Sequence, residues 1–429
     1  KEGKAKINLD VYTGIQGPTN VIDMMDSREF IEMMDEAAEN DGFGPGYFST
    51  NGPGFNRIGD PNDPDLIDTD WYGEILRDDA PITSYTLSAA GGTKKAQYYL
   101  SANYFDQEGF QKGTAFERLS FRANLDFQAS EKLKVGVQGF VSRSDNTSTI
   151  GGVMINALAA DPTMPILEDD GTYANPFSYY SWWAFENPRA VTDIYSRNTF
   201  TTRFLGTMYA EYEIIPDLKF RTSWSADFQY LRDNLFYPST TQQAIRGGIQ
   251  GEGQYSNAEN LTWLNENTIT YTTSFADKHN LSALVGFTMQ ESMTNRADIN
   301  GQNFPNDFLG NLALAADITD GNTDGTSWGL LSYLGRVNYS FDNRYYATVS
   351  ARVDGSSRFG ADNQYGVFPS GSVAWRISSE PFMEGADFVN DLKVRASFGL
   401  TGTQDGIGNF DSRALWSSEN TYNGLGGAS

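Results

Sequence analysis

Polar and apolar residues alternate without a break in residues 118–128 of this chain. The apolar positions are Leu119, Phe121, Ala123, Leu125 and Phe127, and polar residues stand between and around them. Because successive side chains of a β-strand point to opposite faces, the pattern predicts a strand with one apolar and one polar face. It recurs in 218–228 and 331–341. Long two-faced strands with Lys and Arg on the polar face are typical of transmembrane β-barrels.

Alternation and turn residues predict about thirteen strands along the chain. They cover roughly 5–13, 81–90, 96–106, 117–128, 132–143, 199–214, 217–230, 260–274, 280–291, 328–341, 344–353, 366–377 and 391–400. Short connections alternate with long ones, and the longest are 14–80, 144–198, 231–259 and 292–327. Short turns on one rim and long loops on the other indicate an outer-membrane barrel. Single-chain bacterial barrels have even strand numbers, so an odd count predicts part of a larger barrel.

One helix is predicted, inside the 14–80 connection. Asp26 and Glu29 have the spacing of a capping box, and apolar residues from Phe30 onward recur at helical spacing. We expect its apolar stripe to pack on other loops rather than on a cofactor. The chain is therefore expected to be a single barrel domain over 1–429, with 14–80 and 144–198 as long extracellular loops.

Composition supports a barrel wall and excludes several classes of function. Aromatic residues make up 14% of the chain while hydrophobic residues reach only 39%, as expected when every second residue faces lipid. A net charge of -24 opposes nucleic-acid binding. With no Cys and the single His279, the chain has neither disulfides nor a two-His zinc motif. It has no apolar run long enough for a transmembrane helix.

Candidate catalytic and metal-binding groups have simpler explanations. Gly325–Gly329 matches the G-x-S-x-G nucleophile pattern but is predicted to open a strand, with His279 on the opposite rim, so no enzyme is predicted. The acidic runs at 60–70 and 168–170 lack EF-hand spacing, and solvated loop carboxylates are expected there. Calcium binding at Asp60, Asp63 and Asp65 is the weaker alternative, and no cofactor is expected.

Two groups of side chains are candidates for contact with a transported solute. The first group consists of aromatic residues in the 144–198 loop, Tyr173, Tyr179, Tyr180, Trp182, Trp183 and Phe185. Such rings suit stacking on sugars or holding apolar peptide side chains, although a loop of this length also needs a small core of its own.

The second group consists of arginines on the polar strand faces, expected to face the lumen, Arg118, Arg122, Arg221, Arg336, Arg352 and Arg395. In a barrel they would line an aqueous pore or pair with acidic groups of an inserted plug, because unpaired charge away from water is costly. The alternative is pairing within the wall, with Asp126, Asp227 or Glu213.

Several runs resemble one family, in that family's order. They are Thr69-Asp70-Trp71, Tyr85–Gly92, Tyr104–Gly109, Asp354-Gly355-Ser356-Ser357-Arg358-Phe359-Gly360, Tyr365–Ser370, Leu392–Gly399 and Thr401-Gly402-Thr403-Gln404. Over essentially all 429 residues the chain is similar to the SusC/RagA-like TonB-dependent outer-membrane transporters of Bacteroidetes.

The resemblance implies a 22-stranded barrel in outer-membrane lipid, filled by an N-terminal plug and covered by a SusD-like lipoprotein. It implies import of oligosaccharides or peptides driven by TonB through the plug. We expect the chain to be most of such a wall, because no plug or TonB box precedes Lys1 and the family's last strands do not follow. The alternatives are a passive porin or adhesin barrel, and a secreted all-β carbohydrate-active protein.

Overall fold

In a computed structural model of the chain, thirteen strands of the described residues form one antiparallel sheet in which each strand pairs with its neighbours in sequence. The strands are β1 (Gly3–Gln16), β2 (Ala80–Gly92), β3 (Ala96–Glu108), β4 (Ala115–Gln128), β5 (Leu133–Ser148), β6 (Ser196–Ile215), β7 (Leu218–Tyr237), β8 (Glu252–Phe275), β9 (His279–Gln302), β10 (Asp317–Phe341), β11 (Tyr345–Ser356), β12 (Tyr365–Arg376) and β13 (Lys393–Gly399). β14 (Asn420–Tyr422) and β15 (Leu425–Gly427) form a separate pair. The structure describes residues 3–51, 58–179, 186–385, 388–413, 420–422 and 425–427.

The sheet has one continuous apolar face. Strand register aligns Leu87 with Ala102, Ala102 with Phe121, Phe121 with Val141, and Val141 with Phe204. Phe121 leaves 50% of its surface exposed and Leu87 52%. We call this side the apolar face and the opposite side the polar face. A large exposed apolar surface on a sheet calls for an apolar solvent or a partner.

Short turns join the strands at one rim, as predicted. Asp342 and Asn343 lie between β10 and β11 with φ of 52° each, and Asp217 lies between β6 and β7 with φ 70°. Asn and Asp tolerate this left-handed conformation better than other non-glycine residues. The turn residues therefore set the register of the hairpins.

The prediction that 231–259 and 292–327 are loops is wrong for most of their length. Pairing continues through both segments, with Asn234 opposite Tyr255 and Asp298 opposite Asn322. Only 238–251 and 303–316 lie outside the strands. Polar residues occupy both faces here, so the period-two hydrophobic pattern disappears although the backbone ladder does not. β7 to β10 consequently extend well beyond the apolar band of the shorter strands.

Five α-helices lie in the described loops, where one was predicted. They are α1 (Ser27–Asn40), α2 (Trp71–Ile75), α3 (Val153–Ala159), α4 (Pro188–Asp193) and α5 (Gln242–Gly247). Single helical turns occur at Tyr47–Asn51, Pro176–Ser178, Leu312–Leu314, Ala361–Asn363, Ile377–Ser379 and Pro381–Met383. None of the helices in these described segments is both long and apolar enough to cross a membrane.

The predicted capping box of α1 is confirmed. The Glu29 amide donates to the Asp26 carboxylate at 2.9 Å, and the Asp26 amide donates to the Glu29 carboxylate at 3.3 Å. The other four helices have only five to seven residues. Segments of that length show too few turns for a 3.6-residue period, so the sequence pattern missed them.

The largest buried apolar cluster lies in the loops rather than under the sheet. It combines α2, α3 and α4, and we call it the loop core. Its buried members are Trp71, Tyr72, Ile75, Leu76, Val153, Ala157, Ala160, Met164, Ala174, Val191 and Tyr195. Residues 71–76 of the first long connection therefore pack against residues 153–174 and 191–195 of the second.

Candidate functional site: the polar face and the loop core

Strand register places the six predicted arginines on the polar face. Arg221 lies opposite Thr268, and the row continues through Gly286 and Leu334 to Arg352. Arg118 and Arg122 lie four residues apart on β4, so their side chains are on the same face of the sheet. Arg336 in β10 and Arg395 in β13 lie on that face too. The structure thus brings the set to one side of the sheet, spread along it rather than gathered at one point.

Aromatic rings and hydroxyls hold several of these guanidiniums. Arg118 lies 5.6 Å from the ring centroid of Phe105, and its Nε is buried without a hydrogen-bond partner. Arg122 lies 5.5 Å from the ring centroid of Phe140. Arg352 donates to the Ser332 hydroxyl at 3.0 Å and pairs with the Asp354 carboxylate at 2.5 Å. Cation–π contact positions a guanidinium without neutralising it, so the charge of Arg118 and Arg122 is retained.

Pairing within the wall does occur, but with partners other than those predicted. Arg221 stacks over Tyr209 at 4.0 Å from its ring centroid and lies 3.7 Å from the Glu211 carboxylate. Asp126 pairs with Lys134 at 3.5 Å. Asp227 pairs with Arg203 at 2.6 Å. No ion pair of Glu213 is found in the described segments. Glu211 lies directly opposite Arg221 in the register, which explains that choice of partner.

Backbone and side-chain hydrogen bonds join the two long loops. The Trp71 indole donates to the carbonyl of Asp161 at 2.9 Å, in a fully buried contact. The Thr69 hydroxyl donates to the Met164 carbonyl at 2.8 Å. Arg189 of α4 reaches the Glu74 carboxylate of α2 at 3.1 Å. Since these contacts satisfy polar groups that burial would otherwise penalise, they hold the loop core in one arrangement.

A buried carboxylate, Glu186, joins this unit to the 238–251 connection. It accepts hydrogen bonds from the Tyr195 hydroxyl and, at 2.7 Å, from the Gln242 amide at the start of α5. The Asn187 amide donates to it at 3.3 Å. Only 3% of Glu186 is exposed. Burial raises the pKa of this carboxyl above its ordinary value of 4.5, although all three hydrogen bonds favour the charged form.

We expect this junction to weaken as the pH rises. A carboxyl with a raised pKa binds its proton more tightly in the folded loops, so its stabilising effect is complete below pH 4.5 and declines as the pH rises towards the raised value. The rate of limited proteolysis in 186–195, followed from acid to neutral pH, measures this. Glu186→Gln should give a flatter profile, and an unchanged profile in that variant would contradict the assignment.

The loop aromatics divide between described and undescribed residues. Tyr173 donates to the Asp193 carboxylate at 3.0 Å, and Tyr179 donates to the Glu168 carboxylate at 3.2 Å. In both cases burial, followed by the neighbouring carboxylate, raises the phenol pKa to about 12. Tyr179 also packs against the loop core. Tyr180, Trp182, Trp183 and Phe185 lie outside the described residues.

The acidic runs serve local backbone structure. Asp60 and Asp63 accept hydrogen bonds from the amides two residues later, at 2.8 and 2.9 Å. Asp170 does the same for Thr172. Asp65 is exposed. Among the residues that the structure describes, no group of three or more His, Asp or Glu side chains is arranged to hold a metal ion.

The G-x-S-x-G match at Gly325–Gly329 lies inside β10. A nucleophile elbow requires a sharp strand-to-helix turn, and here the strand continues on both sides. His279 pairs with Phe341 at the far end of β10, about 45 Å from Ser327 at the usual strand rise. The two side chains cannot act together.

Two of the sequence runs that suggested a family meet in space. The Arg358 guanidinium donates to the Gln404 carbonyl at 3.0 Å and to the Asn409 side chain at 2.9 Å. The Ser356 hydroxyl donates to the Gln404 side chain at 2.6 Å. Arg358 also lies 5.1 Å from the ring centroid of Trp328. Arg358 was not among the predicted site residues, although its place in the 354–360 run was a usable signal.

Several known proteins are similar to this chain in sequence and in fold. TonB-dependent receptor P26 of Formosa agariphila is 32% identical over 405 residues, covering 94% of the chain and 39% of the receptor. TonB-dependent receptor SusC of Bacteroides thetaiotaomicron is 27% identical over 386 residues, covering 84% of the chain and 38% of SusC. The fold is similar to that of the RagAB peptide transporter, with a TM-score of 0.81 and 22% sequence identity. The superposition covers 100% of this chain and 50% of the transporter chain. In sequence the chain is similar to TonB-dependent receptors, and SusC is one of them.

No protein-family profile matches the chain. The similarity confirms the predicted resemblance to TonB-dependent receptors and the antiparallel barrel-sheet fold. Both of these curated relatives are named as receptors. The chain spans about two fifths of the length of the curated relatives it matches, 39% and 38% of P26 and SusC.

Proposed function

We propose that this chain forms much of the wall and outer vestibule of an outer-membrane importer that takes up oligosaccharides or peptides. The observation that carries the proposal is the match to TonB-dependent receptors along 94% of the chain. Solute transfer is attributed to binding and gating, without covalent chemistry. The apolar face contacts outer-membrane lipid, and the polar face with its arginines lines the lumen.

In the proposed mechanism a SusD-like surface lipoprotein delivers the solute to the loop core, and TonB acts on a plug that fills the lumen. The exposed guanidinium of Arg122 lies over Phe140 and forms no ion pair with a described residue. It supports this arrangement, because a plug or a hydrated solute would meet its donors. Exposed Arg336 and Arg395 add to that surface.

We call the whole transporter to which this chain is proposed to belong the parent protein. Uptake by cells that carry the parent protein tests the proposal. Labelled solute should accumulate only while the inner membrane is energised, and deletion of the gene for the proposed SusD-like lipoprotein should reduce accumulation. A passive porin would instead equilibrate small solutes without energy. Accumulation that persists in de-energised cells would contradict active import.

A further inference from the structure

A groove of about 680 Å³ opens between the extended segment 21–26, α1 and the end of α3. We call it the loop groove. Its buried lining includes Trp71, Ala157 and Ala160, which belong to the loop core. Specific ligand sites in proteins are concave, mostly apolar and of this size.

The sides of the loop groove are tied together before any ligand arrives. The Ser27 amide donates to the Asp68 carboxylate at 2.9 Å, joining the start of α1 to the segment before α2. The Thr69 amide donates to the Pro162 carbonyl at 2.8 Å, joining that segment to the residues after α3. A preformed site loses less conformational entropy on binding.

The exposed lining is flexible and aliphatic. Met24, Met25 and Met33 leave 37%, 49% and 38% of their surface exposed, and Val21 leaves 54%. Methionine adapts to apolar side chains of varied shape. Sugar rings require flat aromatic faces and dense hydrogen bonding. Of the two aromatic residues in the lining, Trp71 is buried with its N–H already used, and Phe30 is half-buried and carries no hydrogen-bonding group.

Carboxylates surround this apolar lining. Asp23, Asp26, Asp68 and Asp70 contribute to it, and none of them forms a salt bridge with a residue in the described segments. Asp26, Asp68 and Asp70 each use one oxygen to accept a backbone amide. Residues 21–70 contain thirteen acidic residues against Arg28 and Arg57. The field at the groove therefore favours a cation.

We propose that the loop groove binds an extended peptide bearing apolar side chains and Lys or Arg, as cargo of the importer. The assignment rests on the proposed function and narrows its solute from oligosaccharide or peptide to a basic, apolar peptide. Apolar side chains fill the methionine-lined space, while the cationic groups meet the carboxylates.

Binding of a labelled peptide to the purified full-length parent protein tests this. The probe is a short peptide in which Lys and Val alternate with Gly and Ser, and it is compared with the same peptide carrying Glu for Lys and with a linear glucose oligosaccharide. Only the Lys peptide should bind. Replacing Asp23, Asp26, Asp68 and Asp70 by Asn should weaken it about tenfold at low salt and little at high salt.

The matched control is Glu36→Gln with Glu39→Gln, which removes exposed charge from α1 outside the groove lining. A second variant, Met25→Ser with Met33→Ser, should weaken binding at every salt concentration. Far-UV circular dichroism checks that each variant is folded. Asn retains an acceptor for each backbone amide, so the helix caps should survive.

Equal affinity for the Glu peptide or the oligosaccharide would overturn the assignment, as would equal binding by the Asn variant and its control. Energised uptake of other solutes by the parent protein, measured in parallel, separates the two proposals. If that uptake persists while groove binding fails, only the groove assignment falls. If the parent protein supports no energised uptake, the proposed function falls, and the groove no longer has cargo to bind.

Discussion

Replacing Val137 by Arg should destabilise the membrane-inserted barrel by roughly 2–4 kcal/mol, the usual effect of Arg at the bilayer midplane of a barrel wall. Val137 is the middle apolar residue of β5, whose apolar face runs from Leu133 to Val141. It is 45% exposed, and its neighbours in the register are Leu125 and Met208. A guanidinium placed there must leave water for hydrocarbon.

Gln138→Arg is the matched control for this experiment. Gln138 is the next residue on the same strand, is also exposed, and lies on the polar face between Asn124 and Thr207. Urea unfolding of the parent protein in lipid vesicles should show a lower midpoint for Val137→Arg and little change for Gln138→Arg. Equal shifts in both variants would mean that the two faces do not differ in solvent, contrary to the barrel.

The sequence predicts a strand well where its two faces meet different solvents, and poorly where both faces meet water. From Arg118 to Gln128 of β4 the alternation is complete, as expected of a strand with one face in lipid, which selects apolar residues at every second position. In the outer halves of β8 and β9 the strands run on between Asn, Thr and Asp residues, with Ser256 opposite Asp298. There both faces meet water, so backbone pairing carries the structure and no side-chain period reports it.

The candidate site was less predictable than the wall. Each arginine of the polar face follows from period two alone, but its partner depends on the register of a neighbouring strand. Glu186 and Gln242 are 56 residues apart, and nothing local to either predicts their contact. Asn187-Pro188 is a local signal for a helix start, with a capping Asn followed by Pro at the start of α4. The loop groove lies between α1 and the end of α3, so predicting it from the sequence would have required both helices, and the sequence pattern predicts only α1.

Replacing Asn187 by Ala should open the loop core locally at a cost of roughly 2–4 kcal/mol. Asn187 is completely buried, and its amide donates to the carbonyls of Ile166 and Ala174 at 3.1 Å each. Its oxygen accepts from the amides of Arg189 and Ala190, capping α4. The Ile166 carbonyl keeps the Ala174 backbone amide as a donor at 3.1 Å, so of the two carbonyls only that of Ala174 loses its donor. That loss costs about 1–3 kcal/mol, and loss of the cap costs about 1 kcal/mol.

Hydrogen exchange of the amides in 186–195 measures that opening, because exchange rates rise with the population of the open loop. Asn175→Ala is the control: Asn175 also caps a helical turn, by accepting from the Phe177 amide at 3.0 Å, but in an exposed contact. It should change exchange only slightly. Asn187→Ser should fall between the two, because its hydroxyl keeps the cap while both donations are lost. If the amides of Asn187→Ala exchanged no faster than those of Asn175→Ala, the buried side-chain amide would not be what joins α4 to the rest of the loop core. Packing around Val191 and Met164 would then have to hold α4 in place.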